Sequence, residues 1–204
     1  MRNRLKTLFW SQAWVSSDTL ELYKPMKLII WLGNPWDKYT TTRHNIGFLV
    51  IDELVNQYDG TDFVFNKKFS AMVSTGMIGK QQILYAKPQT FMNKSWISVR
   101  ALASFYDIDS EDILVIHDDI DHAFWAIKLK FRGSHGGHNG LRDIIEKIGG
   151  QKFRRLKLWV GRPAQKHMVS DYVLGTMKPD ELDHWAKEVG VIFEEVEKWL
   201  RNVG

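Results

Sequence analysis

From Lys27 onward, short aliphatic runs alternate with segments whose apolar residues recur every three or four positions. A strand is marked by a period of two or by a short continuous apolar run, and a helix buries one stripe at a period near 3.6. Strand-like runs fall at 27–32, 71–74, 82–86, 113–116, 126–131 and 156–160. Helical spacing marks 46–58 through Val50, Ile51, Leu54 and Val55, and 94–106 through Val99, Leu102, Ala103 and Tyr106. A third helix carries Leu141, Ile144, Ile145 and Ile148 and is closed by Gly149-Gly150. The last, 179–201, carries Leu182, Trp185, Val189, Ile192, Val196 and Trp199. This alternation predicts an α/β fold, a single globular domain with a mixed twisted sheet flanked by helices. The domain is expected over 26–204. Residues 1–25 lack clear periodicity, and their apolar run stops at Ser11, too short for a signal peptide. They are expected to be a flexible extension or the product of a start site upstream of Met26.

Composition removes several function classes. There is no cysteine, which excludes disulfides, thiolate metal sites and a cysteine nucleophile, and fits a cytoplasmic enzyme. Apolar runs extend only a handful of residues, as in 28–32, so no membrane span is expected. The net charge of +4 is unevenly spread. Residues 128–168 hold eleven Lys or Arg against Asp143 and Glu146, a local +9 that leaves −5 for the remainder. Such a field suits a polyanion, nucleic acid first, although a solvated lysine-rich face has the same composition.

Polar residues cluster where the predicted strands should end. Asn34 follows the first strand, Arg43-His44-Asn45 precedes the first helix, and Asn93 follows Thr90-Phe91-Met92. His117-Asp118-Asp119 follows the 113–116 strand, and a glycine-rich loop over 133–140 opens the third helix. Sites in open α/β sheets lie beyond the carboxyl ends of strands, so these loops can converge. No nucleophile elbow and no P-loop motif is present. A histidine, an aspartate and asparagines suffice for direct hydrolysis: the imidazole deprotonates water, the carboxylate holds its tautomer, and amide donors steady an oxyanion. An imidazole near its unperturbed pKa of about 6.5 suits that task. Each signal also has a structural reading. His44 alone reads as a hydrogen-bonded core residue, Asp118 as a cap or turn residue, and the glycine loop as a turn. His135-x-x-His138 has metal-ligand spacing but no clear third ligand.

Taken together, seven segments stand in order: Lys27-Leu-Ile-Ile-x-Leu-Gly-Asn-Pro, Tyr39-x-x-x-Arg43-His44-Asn45-x-Gly47, Lys87-Pro-x-Thr-Phe-Met-Asn93-x-Ser, His117-Asp118-Asp119-x-Asp121, Gly133-Ser-x-Gly-Gly-His-Asn-Gly-Leu-Arg142, Arg155-Leu-x-x-x-Val-Gly-Arg-Pro163 and Val169-x-Asp-Tyr-Val-Leu174. This set resembles the bacterial peptidyl-tRNA hydrolases over nearly the whole domain. The resemblance implies a monomeric α/β enzyme, without metal or cofactor, that cleaves the ester between a peptide and the terminal ribose of tRNA. It implies His44 as the general base and Asp118 as its orienting carboxylate. Asn34 would contact the peptide near the ester, and Asn93 and Asn139 would bind the substrate end and water. Tyr39 and Phe91 would line the site, with Met92 and His138 beside it. Lys128, Lys130, Arg132 and Arg142 are candidates for the tRNA phosphate backbone, which positions a nucleic acid without reading its sequence. Two other classes remain: a non-catalytic RNA-binding protein on the same fold, since fold alone does not decide function, and a metal-dependent hydrolase.

The chain departs from the resemblance at Trp31, Trp36, Trp96, Trp125 and Trp159, where the family motifs have glycine. Such replacements are expected to strain the backbone by about 1–3 kcal/mol where glycine served a left-handed turn, and to overpack the interior by a similar amount. Trp31 and Trp36 flank Asn34 and are expected to crowd its pocket. One base separates GGA from UGA, so a source that reads UGA as glycine would yield this pattern when translated with tryptophan. The expectation is UGA at these five codons; sequencing that finds UGG at all five removes the recoding and leaves a divergent copy.

Overall fold

The computed structural model describes residues 25–121 and 126–201. The expected extension over 1–25 therefore lies almost wholly outside the described residues, as does Trp125. The described chain forms one seven-stranded mixed sheet with five helices. In chain order the elements are β1 (Lys27–Trp31), α1 (Ile46–Gln57), β2 (Val64–Asn66), β3 (Ala71–Ile78), β4 (Gln81–Pro88), α2 (Trp96–Tyr106), β5 (Ile113–Asp119), β6 (Ile127–Phe131), α3 (Asn139–Ile148), β7 (Arg154–Trp159), α4 (Val169–Val173) and α5 (Pro179–Arg201). The sheet order is β2-β3-β4-β1-β5-β7-β6. Strands β4, β1, β5 and β7 are parallel, and β2, β3 and β6 join antiparallel at the two edges.

The central strands are apolar on both faces, as a sheet covered by helices requires. Ile29 and Trp31 on β1 face one layer, packing with Ile51 and Leu54 of α1 and Ile192, Val196 and Trp199 of α5. Leu28 and Ile30 face the other, with Val99 and Leu102 of α2 and Leu141 and Ile144 of α3. Pro179 opens α5, where a missing N–H costs nothing, and Gly149 ends α3 at φ 81°, a left-handed conformation that favours glycine. No helix among the described residues is long and apolar enough to cross a membrane.

Three features differ from expectation. β5 does not stop at Ile116 but continues through Asp119, because β7 pairs with it as far as Asp119 opposite Trp159. The polar triplet 117–119, which reads as a loop, is thus buried strand. Strand β2 and helix α4 have no counterpart in the periodicity, being three and five residues long. The expected left-handed strain is absent as well at Trp31, Trp36, Trp96 and Trp159, the four of these tryptophans among the described residues. Positive φ at non-glycine residues occurs at Asp59, Ser70, Asp107 and Arg132, none of them a tryptophan. What the large rings impose is close packing. Trp31 is fully buried, and a Cβ on Gly47 would lie 2.8 Å from its Cδ1, so the ring and a residue without a side chain share one space. Its indole N–H is buried without a hydrogen-bond acceptor, a loss of about 1–3 kcal/mol.

The register of α5 is open to a direct measurement. Ile192→Ala removes a fully buried side chain and is expected to cost about 2–5 kcal/mol in urea unfolding. Val191→Ala, one position away and 40% exposed, is expected to stay within about 0.5 kcal/mol. Equal costs would show that the helix does not present its stripe in this register.

Candidate active site

The parallel strands put their carboxyl ends along one edge, and β1 lies between β4 and β5 where the chain order reverses. That is where an open α/β sheet leaves a crevice. A cavity of about 970 Å³ opens there. His44, Asp118, Asn34, Tyr39, Phe91, Asn93, Asn139, Met92 and His138 all line it. Each arrives on a short connection: Asn34 just after β1, His44 in the 3-10 turn Arg43–Asn45, Met92 and Asn93 in the turn Met92–Lys94 after β4, and His138 and Asn139 at the start of α3. Asp118 comes from β5 itself.

The start of α3 is held close by a residue without a side chain. A Cβ at Gly140 would sit 2.7 Å from Met92 Sδ and 3.0 Å from Leu32 Cδ1. A side chain here would force Met92 and Leu32 to shift, and Asn139 and Asn93 both line the cavity beside this contact. Asn45 adds a second brace. Its Oδ1 accepts from the Asn34 backbone N–H and its Nδ2 donates to the Asn34 carbonyl, both at 2.8 Å. This pins the peptide of Asn34 to the turn that carries His44. Asn45 stood in the polar cluster of the sequence without an assigned role.

Asp118 Oδ1 is the centre of the arrangement. His44 Nδ1 donates to it at 2.7 Å. His138 approaches from the other side with Nε2 at 3.0 Å. The tautomer of His138 follows from its second nitrogen, because Nδ1 accepts the backbone N–H groups of Gly140 (3.1 Å) and Leu141 (3.3 Å). The ring is therefore the N-cap of α3, a task usually given to Ser, Asp or Asn. An accepting Nδ1 carries no proton, so Nε2 carries it and donates to Asp118. His117 is the third imidazole. Its Nδ1 donates to the Asp118 carbonyl at 2.6 Å, and its ring packs edge-on against His138 with centroids 5.0 Å apart.

These bonds separate the three histidines electrostatically. Burial pulls the His44 pKa down, but the Asp118 charge and hydrogen bond outweigh it and hold the imidazole above its usual 6.5. This corrects the expectation of an unperturbed base. Burial dominates at His138 and holds it below 6.5 despite the same carboxylate. Burial and the neighbouring His138 push His117 down to about 3. Burial alone would raise Asp118, yet the two imidazoles bonded to it hold it far below the carboxylate range. One carboxylate thus serves two imidazoles, with the proton affinity of His44 held above the usual value and that of His138 below it.

Among the described residues, the atoms able to share an ion belong to His44, Asp118 and His138, within 4.8 Å of one another. The spacing His135-x-x-His138 does not produce that group, since His135 Nδ1 accepts from the Gly137 N–H at 3.0 Å. An ion on the three ligands would displace the protons that now bind both rings to the carboxylate. The expected crowding by tryptophan is also absent. Trp31 lies in the core, and Trp36 rests on Phe91 with ring centroids 4.5 Å apart. Neither lines the cavity. The far wall comes from Arg162, Pro163, Lys166 and from Val169, Ser170, Val173 and Leu174 in and around α4. Sequence reasoning assigned none of these to the site, because five residues are too few to display a helical period. Lys128, Lys130 and Arg132 are exposed on the edge strand β6 and just beyond it, and Arg142 lines the cavity.

Comparison with known proteins closes the description. The model of the family described as peptidyl-tRNA hydrolase matches residues 28–203. A peptidyl-tRNA hydrolase of Lactiplantibacillus plantarum is 42% identical over 177 residues, covering 87% of this chain and 94% of that protein. A crystal structure of peptidyl-tRNA hydrolase from Acinetobacter baumannii shares 37% identity at a TM-score of 0.81, covering 87% of this chain and 89% of the other. A peptidyl-tRNA hydrolase in complex with N-propanol has the same identity, TM-score and coverage.

The origin of the raised His44 pKa can be checked by NMR titration. Asp118→Asn removes the charge that opposes burial, so the His44 pKa is expected to fall below 6.5. A pKa that stays high in this variant would remove Asp118 as its cause.

Proposed function

Because the chain belongs to the peptidyl-tRNA hydrolase family, we propose that it hydrolyses the ester joining peptide to tRNA with His44 as general base and Asp118 as its partner. The observation that carries this reading is the 2.7 Å hydrogen bond from His44 Nδ1 to Asp118 at the wall of the cavity. With its proton on Nδ1, His44 offers the Nε2 lone pair to a water molecule. Water loses its proton to Nε2 as its oxygen attacks the ester carbonyl. The imidazolium that forms is stabilised by the Asp118 charge, which the carboxylate retains because its pKa lies so low. Collapse of the tetrahedral intermediate breaks the bond to the ribose oxygen, and His44 returns the proton to that leaving group. An ester needs no covalent nucleophile, in keeping with a chain that contains no cysteine.

The remaining residues divide between the two ends of the substrate. Asn34, pinned by Asn45, faces the peptide side and distinguishes a blocked amine from a free one. Asn93 and Asn139 supply amide donors for the oxyanion and the attacking water. Tyr39, Phe91 and Met92 provide apolar wall. His138 holds Asp118 in place and moves no proton, since its Nδ1 is committed to α3. Lys128, Lys130 and Arg132, exposed at the β6 edge, and Arg142, at the cavity, are assigned to the acceptor-end phosphates. The family resemblance points to an enzyme that works as a monomer. Its substrate is a product of translation, which places the reaction in the cytoplasm. The intact acid–base pair favours an enzyme over a non-catalytic RNA-binding protein.

The test is release of the acyl group from N-blocked aminoacyl-tRNA. His44→Ala is expected to lower kcat by about 10²–10⁴-fold while tRNA binding persists; full turnover in that variant overturns the base assignment. The acid limb of the parent's pH–rate profile is expected above 6.5, because the base works only when neutral and its pKa is raised. Lys128→Ala and Lys130→Ala are each expected to weaken tRNA binding and to reduce the log–log salt slope by about 0.7–0.9. An unchanged slope removes that residue from the phosphate contacts.

A further inference from the structure

Arg43 precedes the proposed base in the same 3-10 turn, yet its side chain is buried, at 8% exposure, and is absent from the cavity wall. Its Nε and Nη2 donate to Glu181 Oε1 and Oε2 at 2.8 and 2.7 Å, the two-toothed fork that a guanidinium makes with a carboxylate. Its Nη1 donates to the carbonyls of Tyr172 (3.2 Å) and Gly175 (3.4 Å). The guanidinium carbon lies 4.4 Å from the Tyr172 ring centroid. Tyr172 in turn donates its hydroxyl to the Val160 carbonyl just past β7, at 2.9 Å. One buried cation therefore ties the turn of His44 to the α4 wall of the cavity and to the first turn of α5.

Local backbone bonds, such as the Asn45 N–H to the Thr42 carbonyl at 2.9 Å, close the turn but do not fix where it points. No side chain caps Arg43–Asn45, and none caps the start of α1. What holds His44 is a distant attachment on either side: Asn45 is fastened to Asn34, and Arg43 to Glu181 and α4. The backbone repeats the second attachment, with the Arg43 N–H donating to the Gly175 carbonyl at 3.2 Å and the Met177 N–H to the Thr41 carbonyl at 2.9 Å. A buried ion pair is weak support for stability, since well-packed apolar residues often replace it without loss. Its worth lies in fixed geometry. We propose that Arg43, gripped by Glu181, is a positioning residue that sets the reach of His44 to Asp118 and ties that reach to the α4 wall. This rests on His44 as the base and goes beyond it, because neither Arg43 nor Glu181 touches the cavity.

The groups facing His44 are Asp118 from β5 and His138 from the α3 cap, so a shift of the turn changes the pairing with Asp118 first. Two variants separate geometry from stability. Glu181→Gln keeps the shape and removes one charge. The double variant Arg43→Met with Glu181→Leu removes the pair and leaves no charge buried alone. Both are assayed on N-blocked aminoacyl-tRNA, with thermal unfolding and tRNA binding measured alongside. The double variant is expected to unfold near the parent temperature yet to turn over about ten- to a hundredfold more slowly, the scale of a base misplaced by about 1 Å. KM and tRNA affinity are expected to stay within about twofold, since the assigned phosphate contacts are untouched. The acid limb of the kcat profile is expected to move to lower pH, because a lengthened bond to Asp118 leaves burial to set the His44 pKa. If Glu181→Gln fails to fold, the double variant decides the matter. A folded double variant with parental kcat and an unmoved acid limb overturns the proposal. His44→Ala, run beside it, keeps the two readings apart: if it retains turnover, the base assignment fails, and if it is inactive while the double variant matches the parent, only the role of Arg43 fails.

Discussion

The site depends on one oxygen accepting two hydrogen bonds. Asp118 Oδ1 takes a proton donor from His44 and another from His138, so its negative charge is shared within a buried space. A lone carboxylate at that depth would neutralise itself. Bonded twice, it stays charged, and its charge then decides which imidazole is basic. His44 gains from the carboxylate more than burial takes away, while His138 does not. The difference arises because burial weighs more than the carboxylate on His138, which also feels the neighbouring His44; the same ring caps α3, so chemistry and helix capping meet in it.

The sheet makes this possible by bringing separate connections to one edge. Parallel pairing of β4, β1, β5 and β7 aligns their exits, and the reversal of chain order at β1 opens the crevice into which they lead. Placing Asp118 within β5 rather than beyond it gives the carboxylate a backbone tied to β7. His44 has no such support, and its turn is fastened through its neighbours. A rigid acceptor and a guyed donor are two solutions to the same geometric demand.

Much of this was legible in the residue pattern because burial on both faces of the central strands produces unmistakable apolar runs, and because polar residues past those runs must lie at one edge. His44, Asn34, Asn93 and Asn139 were readable on that ground. The extension of β5 was not, because His117-Asp118-Asp119 carries no apolar signal and only the partner strand β7 turns it into a ladder. The capping role of His138 was equally hidden, since histidine is not a usual cap. The fastening of Arg43 to Glu181 spans 138 positions and leaves no local trace. The tryptophans show the reverse failure. Glycine is expected at those positions from the resemblance, yet at the four that lie among the described residues no positive φ occurs, so the constraint that matters is space, as between Trp31 and Gly47.

The double duty of His138 has a thermal consequence. Helix ends open far more readily than central strands, at small free energies. Whenever the first turn of α3 unwinds, Nδ1 loses both of its backbone donors and becomes free to accept a proton. The ring then competes with His44 for the same carboxylate, and the acid–base machinery loses its bias. The close packing of Gly140 and the burial of Leu141 therefore guard the acid–base pair as well as the helix end.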